Sequence, residues 1–447
     1  MVSFDAQGKL SLKLNAQSPM VHFQAREPGA TIRASEVKPK LDRYLIWKLK
    51  QQTGLDGAEL AKSSKYKDWF RPSTDENVPP TALRYQMQIF CEEAPEIVVL
   101  NLDNDLKNKY KVEEEMARYA KSVSKYPIFY ANSGVKDPKQ QRLGIVSNPT
   151  VVIRCFHDGL KDLIKKNLED FFLVTNFGTM QNKGFGSFAP VRLNGNRNPN
   201  MAEIRRIAGL LKREHGVQRC LYMIVEKNNY DHDFSSLFRA IEHFYRLMKS
   251  GYNNEYTDEL EPSFLFRYMH SEYGIGNEKA WMKQNHISPV VGWQPEFPPS
   301  EDHPPRYVRA FLGTAETMSY KKAKQGNAKI DISIHSDDIQ RAPSTIFFKI
   351  IGNTVLIVPC PVEDALYGKS FVFTPKEKVA GKYIRPFGYQ EGALDTPGKN
   401  QFPNERFDTE DFLMQYADHY NYLVRDAYRR SGTVYKYLKN APEVNQI

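Results

Sequence analysis

The chain has 447 residues, with 62 Lys and Arg against 53 Asp and Glu, a formal net charge of +9. Hydrophobic residues make up 41%, enough for a sizeable core, which excludes a wholly disordered chain. No run of about 18 uncharged apolar residues exists, which excludes a membrane-spanning helix. Cys91, Cys155, Cys220 and Cys360 lie far apart without a CxxC pair, which argues against a zinc ribbon or a disulfide framework. The charge excess favours an anionic partner, nucleic acid or anionic lipid, and the N-terminal MVSFDAQGKLSLKLNA lacks an apolar signal core, so a cytoplasmic location is expected.

Taken in chain order, Leu10, Leu12 and Leu14 alternate with Lys9, Ser11 and Lys13, the pattern of a half-buried strand. Loop chemistry follows through Pro19, Pro28 and Gly29. Ser35 can then cap a basic helix over 36–50, with Val37, Leu41, Tyr44, Leu45 and Trp47 inward and Pro39 at its start. Residues 83–91 alternate, and 96–102 read as a second strand paired with them. A helix near 112–123 is expected, then a strand over 151–156. Leu160, Leu163, Ile164, Leu168, Phe171 and Phe172 recur at helical spacing. That helix runs into NFGTMQNKGFGS (176–187), and a short strand over 188–193 follows. The Asn/Pro-rich stretch at 193–200 marks a domain boundary. Beyond it come a helix over 202–215, a strand over 218–227 and an aromatic-rich helix over 233–249. Residues 251–343 read as a long irregular insertion. Strands return at 345–351 and 355–359 around the turn Gly352-Asn353, and a helix runs from Thr409 to about Arg430.

Two segments carry chemistry. In 176–187, Gly178, Gly184 and Gly186 permit positive φ and close approach of another chain. Lys183 sits among Thr179, Gln181, Asn182 and Ser187, while Phe177, Phe185 and Phe188 either stack on bases or anchor the loop. The same residues also make a tight turn over buried phenylalanines. Neither GxxxxGK[ST] nor GxGxxG spacing is present, so no phosphate loop or dinucleotide cofactor is expected. The second segment, 18–44, joins a strand end, a loop and a basic helix start, where Arg33, Ser35, Lys38 and Arg43 offer an anion site.

Together these pieces resemble the RAMP superfamily, the RNA-binding proteins of CRISPR effector complexes. Ser18-Pro19 with the run from Ile32 to Arg43 looks like the family's loop and basic helix opening. Lys183-Gly184-Phe185-Gly186 is similar to its glycine-rich loop after the last helix of the domain. The resemblance implies an α+β, ferredoxin-like (RRM-like) β-α-β-β-α-β fold, with elements at 9–14, 36–50, 83–91, 96–102, 158–173 and 188–193 and the 149–156 strand left over. Because the glycine loop falls mid-chain, two such units in tandem with helical insertions are expected, as in type III backbone-like members. These are a RAMP-like domain over 1–198 and a second, degenerate ferredoxin-like or helical α+β domain over 199–447. Pro39 departs from the family pattern by interrupting the basic segment.

The implied function is binding of single-stranded guide RNA in an antiviral ribonucleoprotein with other CRISPR-associated subunits, without catalysis. Its RNA-binding residues are Arg33, Ser35, Lys38, Arg43, Gly178, Gln181, Lys183, Gly184, Phe185 and Gly186. The rival is a metal-independent endoribonuclease that processes precursor RNA, as some relatives do, with His22, or else His157, as general acid–base. A third class is a basic scaffold contacting other subunits through 251–343. Asp231-His232-Asp233 reads better as a helix cap than as a metal site, and no metal is expected.

Overall fold

The computed structural model describes residues 3–21, 31–73, 78–100, 120–124, 143–191, 198–226, 234–253, 260–284, 299–321, 329–379, 382–385, 389–429, 438 and 441–447. The chain divides into two compact units. One comprises Met1–Glu214, Ile224–Arg239 and Phe348–Leu356, the other His215–Met223, Ala240–Phe347 and Ile357–Ile447.

The alternating strand is β1 (Lys9–Ala16), with Leu10, Leu12 and Leu14 buried and Lys9, Ser11 and Lys13 exposed. Helix α1 (Ala34–Thr53) buries Val37, Leu41, Tyr44, Leu45 and Leu49, whereas Trp47 is half-buried. It ends at Gly54 in the left-handed region, where the Gly54 N–H donates to the Lys50 carbonyl. Its first residue is Ala34, and the residue before it, Arg33, makes no side-chain cap. Ser35 is therefore inside the first turn rather than at the cap, a correction to the sequence reading. Pro39 lies in the second turn, where it withholds the donor that the Ser35 carbonyl would use.

Strand β2 (Gln86–Phe90) follows, then β3 (Glu96–Leu100), β4 (Ala120–Ser124), β5 (Leu143–Val146) and β6 (Thr150–Arg154). Helix α2 (Asp158–Val174) buries all six apolar positions predicted for it, and β7 (Phe188–Pro190) closes the sheet. The strand order is β2-β6-β1-β7. Every neighbour is antiparallel, with Leu10 opposite Ile153 and Ile153 opposite Met87. This is the ferredoxin-like arrangement. Its third strand is β6, not 96–102, which reverses the sequence assignment. β3 instead forms a separate three-stranded sheet in the order β4-β3-β5. β6 takes the central place, with Ile153 and Val151 opposite Leu10 and Leu12 on the helix-covered face, and it is buried at four of its five positions. Residues 120–124 form a strand where part of a helix was expected, and the rest of that expected helix lies outside the described residues.

The second half opens with α3 (Met201–His215), β8 (Leu221–Ile224) and α4 (Ser235–Lys249). Residues 251–343 are not simply irregular: they include α5 (Phe264–Tyr273), α6 (Glu278–Gln284), β9 (Thr317–Lys321) and β10 (Lys329–His335). Then come β11 (Ile346–Ile351), β12 (Thr354–Pro359), β13 (Ser370–Val379), β14 (Lys382–Ile384), β15 (Gly392–Asp395), α7 (Thr409–Arg429) and β16 (Asn445–Gln446). A four-stranded sheet has the order β11-β12-β8-β16, and with α4 and α7 it repeats β-α-β-β-α-β. A five-stranded sheet of β9, β10, β13 and β14, with β15 on β13, is built from the chain between these elements.

Candidate nucleic-acid interface

The glycine-rich loop is a closed turn whose ends pair through Asn176 and Ser187. Gly178, Gly184 and Gly186 have φ of 81°, 88° and 68°, as the sequence suggested. What approaches them closely is this protein's own backbone. A Cβ on Gly186 would stand 1.8 Å from the Phe177 carbonyl oxygen, and one on Gly178 would stand 2.5 Å from the Val21 carbonyl oxygen. The Ser18 hydroxyl donates to the Gly184 carbonyl at 2.6 Å and accepts from the Ser187 N–H at 2.9 Å. The Gly186 N–H donates to the Pro19 carbonyl at 2.9 Å. Ser18-Pro19 and the glycine loop, more than 160 residues apart, are thus stitched together.

Helix α1 holds the other side. The Gly178 N–H donates to Glu36 Oε1 at 2.7 Å. Lys40 Nζ donates to the Asn176 carbonyl at 3.0 Å and to Gln181 Oε1 at 2.8 Å, 4.8 Å from the Phe177 ring centre. Burial pulls the Lys40 pKa down, opposed by Glu36 at 3.5 Å. Beneath the loop, Lys349 of β11 is fully buried. Its Nζ donates at 2.8 Å to the Phe172 and Thr175 carbonyls at the end of α2, and at 3.2 Å to Asn176 Oδ1. A cation at a helix C-terminus meets the negative end of the dipole. Burial nevertheless drives the Lys349 pKa well below the ordinary lysine value, with Lys40 adding to the fall. Asn176 Nδ2 donates to the Gln181 and Phe348 carbonyls, and Ser187 Oγ to the Ile350 carbonyl. Sequence reasoning missed Glu36, Lys40 and Lys349 as loop anchors. A lone lysine inside the apolar run IFFKII was the signal for the last.

Each expected RNA-binding residue can now be placed. Phe185 is fully buried and stacks on Phe238 at 4.2 Å and 26° between planes, so of its two readings the structure takes the loop anchor. Gln181 is spent within the loop, accepting from Lys40 and donating to the Gly178 carbonyl at 2.6 Å. Lys183 is half-buried, its Nζ is buried, and its backbone bridges to Phe348. Arg33 is half-exposed, and Ser35 and Arg43 are exposed. Lys38 Nζ donates to Asp42 Oδ2 at 2.7 Å and to the Leu83 carbonyl at 3.0 Å, 4.2 Å from the Tyr85 ring centre. Burial lowers the Lys38 pKa and raises that of Asp42, while their mutual attraction works the other way. His22 and Asp231-His232-Asp233 lie outside the described residues. His157 is half-exposed just before α2 and makes no side-chain cap. Among the described residues, no group of three or more His, Cys, Asp or Glu is placed to hold a metal ion.

Of the expected residues, Lys38 and Arg43 of α1 line open space together with the segment that follows the helix. Lys38, Pro39, Asp42 and Arg43 share a cleft of about 430 Å³ with Arg71, Thr81 and Ala82. Arg71 is steadied by a hydrogen bond from Nη2 to the Tyr85 carbonyl at 3.3 Å. It sits in a polar stretch with no periodicity, so the sequence carried no signal for it. Two guanidinium groups and an ammonium against one buried carboxylate suit a phosphate, for which planar bidentate donors are the best match.

The family model of the Cmr1 N-terminal domain matches residues 7–252, and that of the Cmr1 C-terminal domain matches residues 260–440. The chain belongs to the Cmr1 family. It is therefore a RAMP-like CRISPR-associated protein of type III, and the Cmr1 assignment makes it an effector subunit that works with other subunits. The crystal structure of Cmr1 from Pyrococcus furiosus (apo form) is similar over 87% of this chain and 98% of that one, at 11% identity and a TM-score of 0.35. No curated protein matches the chain. Among the described residues of this Cmr1-family chain, no helix is long and apolar enough to cross a membrane.

Proposed function

We propose that this Cmr1-family chain binds single-stranded guide RNA in the cytoplasm as a non-catalytic subunit of its antiviral effector complex. In this reading the RNA-holding domain is residues 1–198, and the cleft between Arg43 and Arg71 takes a backbone phosphate. The observation that carries it is the convergence of Lys38, Arg43 and Arg71 on one cleft. Asp42 already engages Lys38, which leaves the arginines as the main donors to the ligand. The glycine loop then acts as scaffold: it fixes α1 through Glu36 and Lys40. Arg33 extends the basic edge at the start of the helix.

Filter binding of a single-stranded repeat RNA at about 50–100 mM salt tests this, because phosphate contacts dominate and release counterions. The double variant Arg43→Ala, Arg71→Ala is expected to bind more weakly across all sequences. Its log–log salt slope should flatten by about 1.4, at roughly 0.7 per lost contact on a single strand. Full RNA affinity in the double variant would remove the cleft from the interface.

A further inference from the structure

The two helices of the first ferredoxin-like unit cover the face of its sheet that carries Leu10, Leu12 and Leu14, and the alternation of β1 turns Lys9, Ser11 and Lys13 to the opposite face. The register carries that face across the sheet. Lys9 lies opposite Arg154 and Arg154 opposite Gln86, while the row through Ser11 and Val152 ends at Gln88. Lys9, Arg154, Gln86 and Gln88 are all exposed. At one end of the face Phe90, opposite Thr150, is 46% exposed. At the other end Phe156, two residues beyond Arg154, is 78% exposed. Its ring reaches 3.6 Å from where a Cβ on Gly8, the neighbour of Lys9, would stand. Phe156 lies six positions beyond Thr150, so the two rings bracket about 20 Å of extended chain.

We infer that this sheet face, whose exposed residues flank the buried Thr150 and Val152, is a second nucleic-acid surface, a platform for the bases of single-stranded RNA. The inference rests on the RNA-binding reading above and extends it to residues that no motif marks. Exposed phenylalanines on the solvent face of an antiparallel sheet are out of pattern, since that face is ordinarily polar. Here they flank cations and side-chain amides. Flat rings stack on any base, amides bond base edges, and Lys9 and Arg154 meet the phosphates between. A protein partner would favour an apolar centre with few charges. The exposed centre of this face is instead Ser11 and Gln88, on either side of the buried Val152 and beside the Lys9–Arg154 pair. Lys13 is less available, because it pairs with Glu92 at 3.0 Å.

The test is fluorescence anisotropy of the full chain with labelled single-stranded and duplex RNA of the same sequence. Four proteins are compared: the parent, Phe90→Ala with Phe156→Ala, Lys9→Ala with Arg154→Ala, and Arg43→Ala with Arg71→Ala. All the substituted face residues are exposed, and circular dichroism checks that each variant folds. Loss of both rings is expected to weaken single-strand binding at least tenfold while leaving duplex binding within about twofold, because only unstacked bases can reach the rings. Loss of both face cations should flatten the single-strand salt slope by about 1.4. If both face variants bind single strands within twofold of the parent while the Arg43/Arg71 variant is impaired, the platform is overturned and the cleft stands. If face variants keep RNA affinity but no longer assemble with other effector subunits, the face is a protein contact and the RNA assignment is overturned. A parent chain that binds no single-stranded RNA overturns both readings.

Discussion

Gly186→Ala should damage the first unit far more than an equivalent change at Gly54, and the two together separate backbone strain from close packing. Both glycines have positive φ, +68° and +75°. Placing alanine in the left-handed region costs about 1–2 kcal/mol at either site. At Gly54 that is the whole effect, because nothing lies within 4 Å of the added carbon. At Gly186 the new Cβ would also stand 1.8 Å from the Phe177 oxygen and 2.7 Å from its carbon, both rigid backbone. Reaching ordinary contact requires a separation of about 1.5 Å more, since non-bonded carbons settle near 3.5–4.0 Å. Such a shift breaks the bond from the Phe177 N–H to the Gly186 carbonyl and the one from the Gly186 N–H to the Pro19 carbonyl, each 2.9 Å. Buried groups left unpaired cost about 1–3 kcal/mol each, so with the φ cost the Gly186 variant is expected to lose about 3–8 kcal/mol in all. Urea unfolding of the full-length variants near neutral pH gives both midpoints. Equal losses in the two variants, within about 0.5 kcal/mol, would refute the packing argument, since the φ cost is common to both.

The remaining predictions concern buried groups and chemistry. Lys349→Met leaves the Phe172 and Thr175 carbonyls and Asn176 Oδ1 without their donor, and should cost about 2–4 kcal/mol in urea unfolding, partly offset by removal of a buried charge. Burial lowers the Lys349 pKa, so between that lowered value and the ordinary one the unfolded chain holds more protons. Stability from this group therefore rises with pH in that window, and the methionine variant should lack the rise. His215 is half-buried beside the Cys360 sulfur, with Nδ1 at 3.3 Å, and desolvation pulls its pKa from 6.5 to about 4. The unfolded chain protonates first as pH falls through that interval, so stability falls with it, by at most about 3 kcal/mol. His215→Gln should flatten that acid slope, and an unchanged slope would place its origin elsewhere. Incubated with repeat RNA in EDTA, the protein is expected to leave the strand intact; a 2′,3′-cyclic phosphate product that disappears in His22→Ala would establish the endoribonuclease instead.

Much of the fold was legible because local periodicity reports burial. The alternation at Lys9–Leu14 and the helical spacing from Leu160 to Phe172 were both realised with the expected residues inward. Strand pairing was less legible. The 96–102 strand follows 83–91 closely in sequence and invites a hairpin, yet β2 takes its partner from β6, about 60 residues on. Alternation tells which face of a strand is buried and says nothing of which strand lies beside it. At the site, the glycines were recognised as positions needing positive φ, but the reason for that need was read outward, toward a ligand. The structure turns it inward, toward Phe177 and Val21.

By itself, then, the sequence determined the positions of most helices and strands, the ferredoxin-like order of the first unit in outline, and the two segments whose contact defines the family resemblance. The element positions follow from local rules, side-chain period and the freedom of glycine, while the ferredoxin-like order is what the family resemblance implied. Only tertiary structure decided what each cation does. Lys40 and Lys349 spend their charges on the protein's own carbonyls, and Lys38 shares its charge with Asp42. Arg43 gains its meaning from Arg71, 28 positions away across the same cleft. Charge is written in the sequence, but its availability to a partner depends on desolvation and on the acceptors within about 3 Å, which are set by residues distant along the chain.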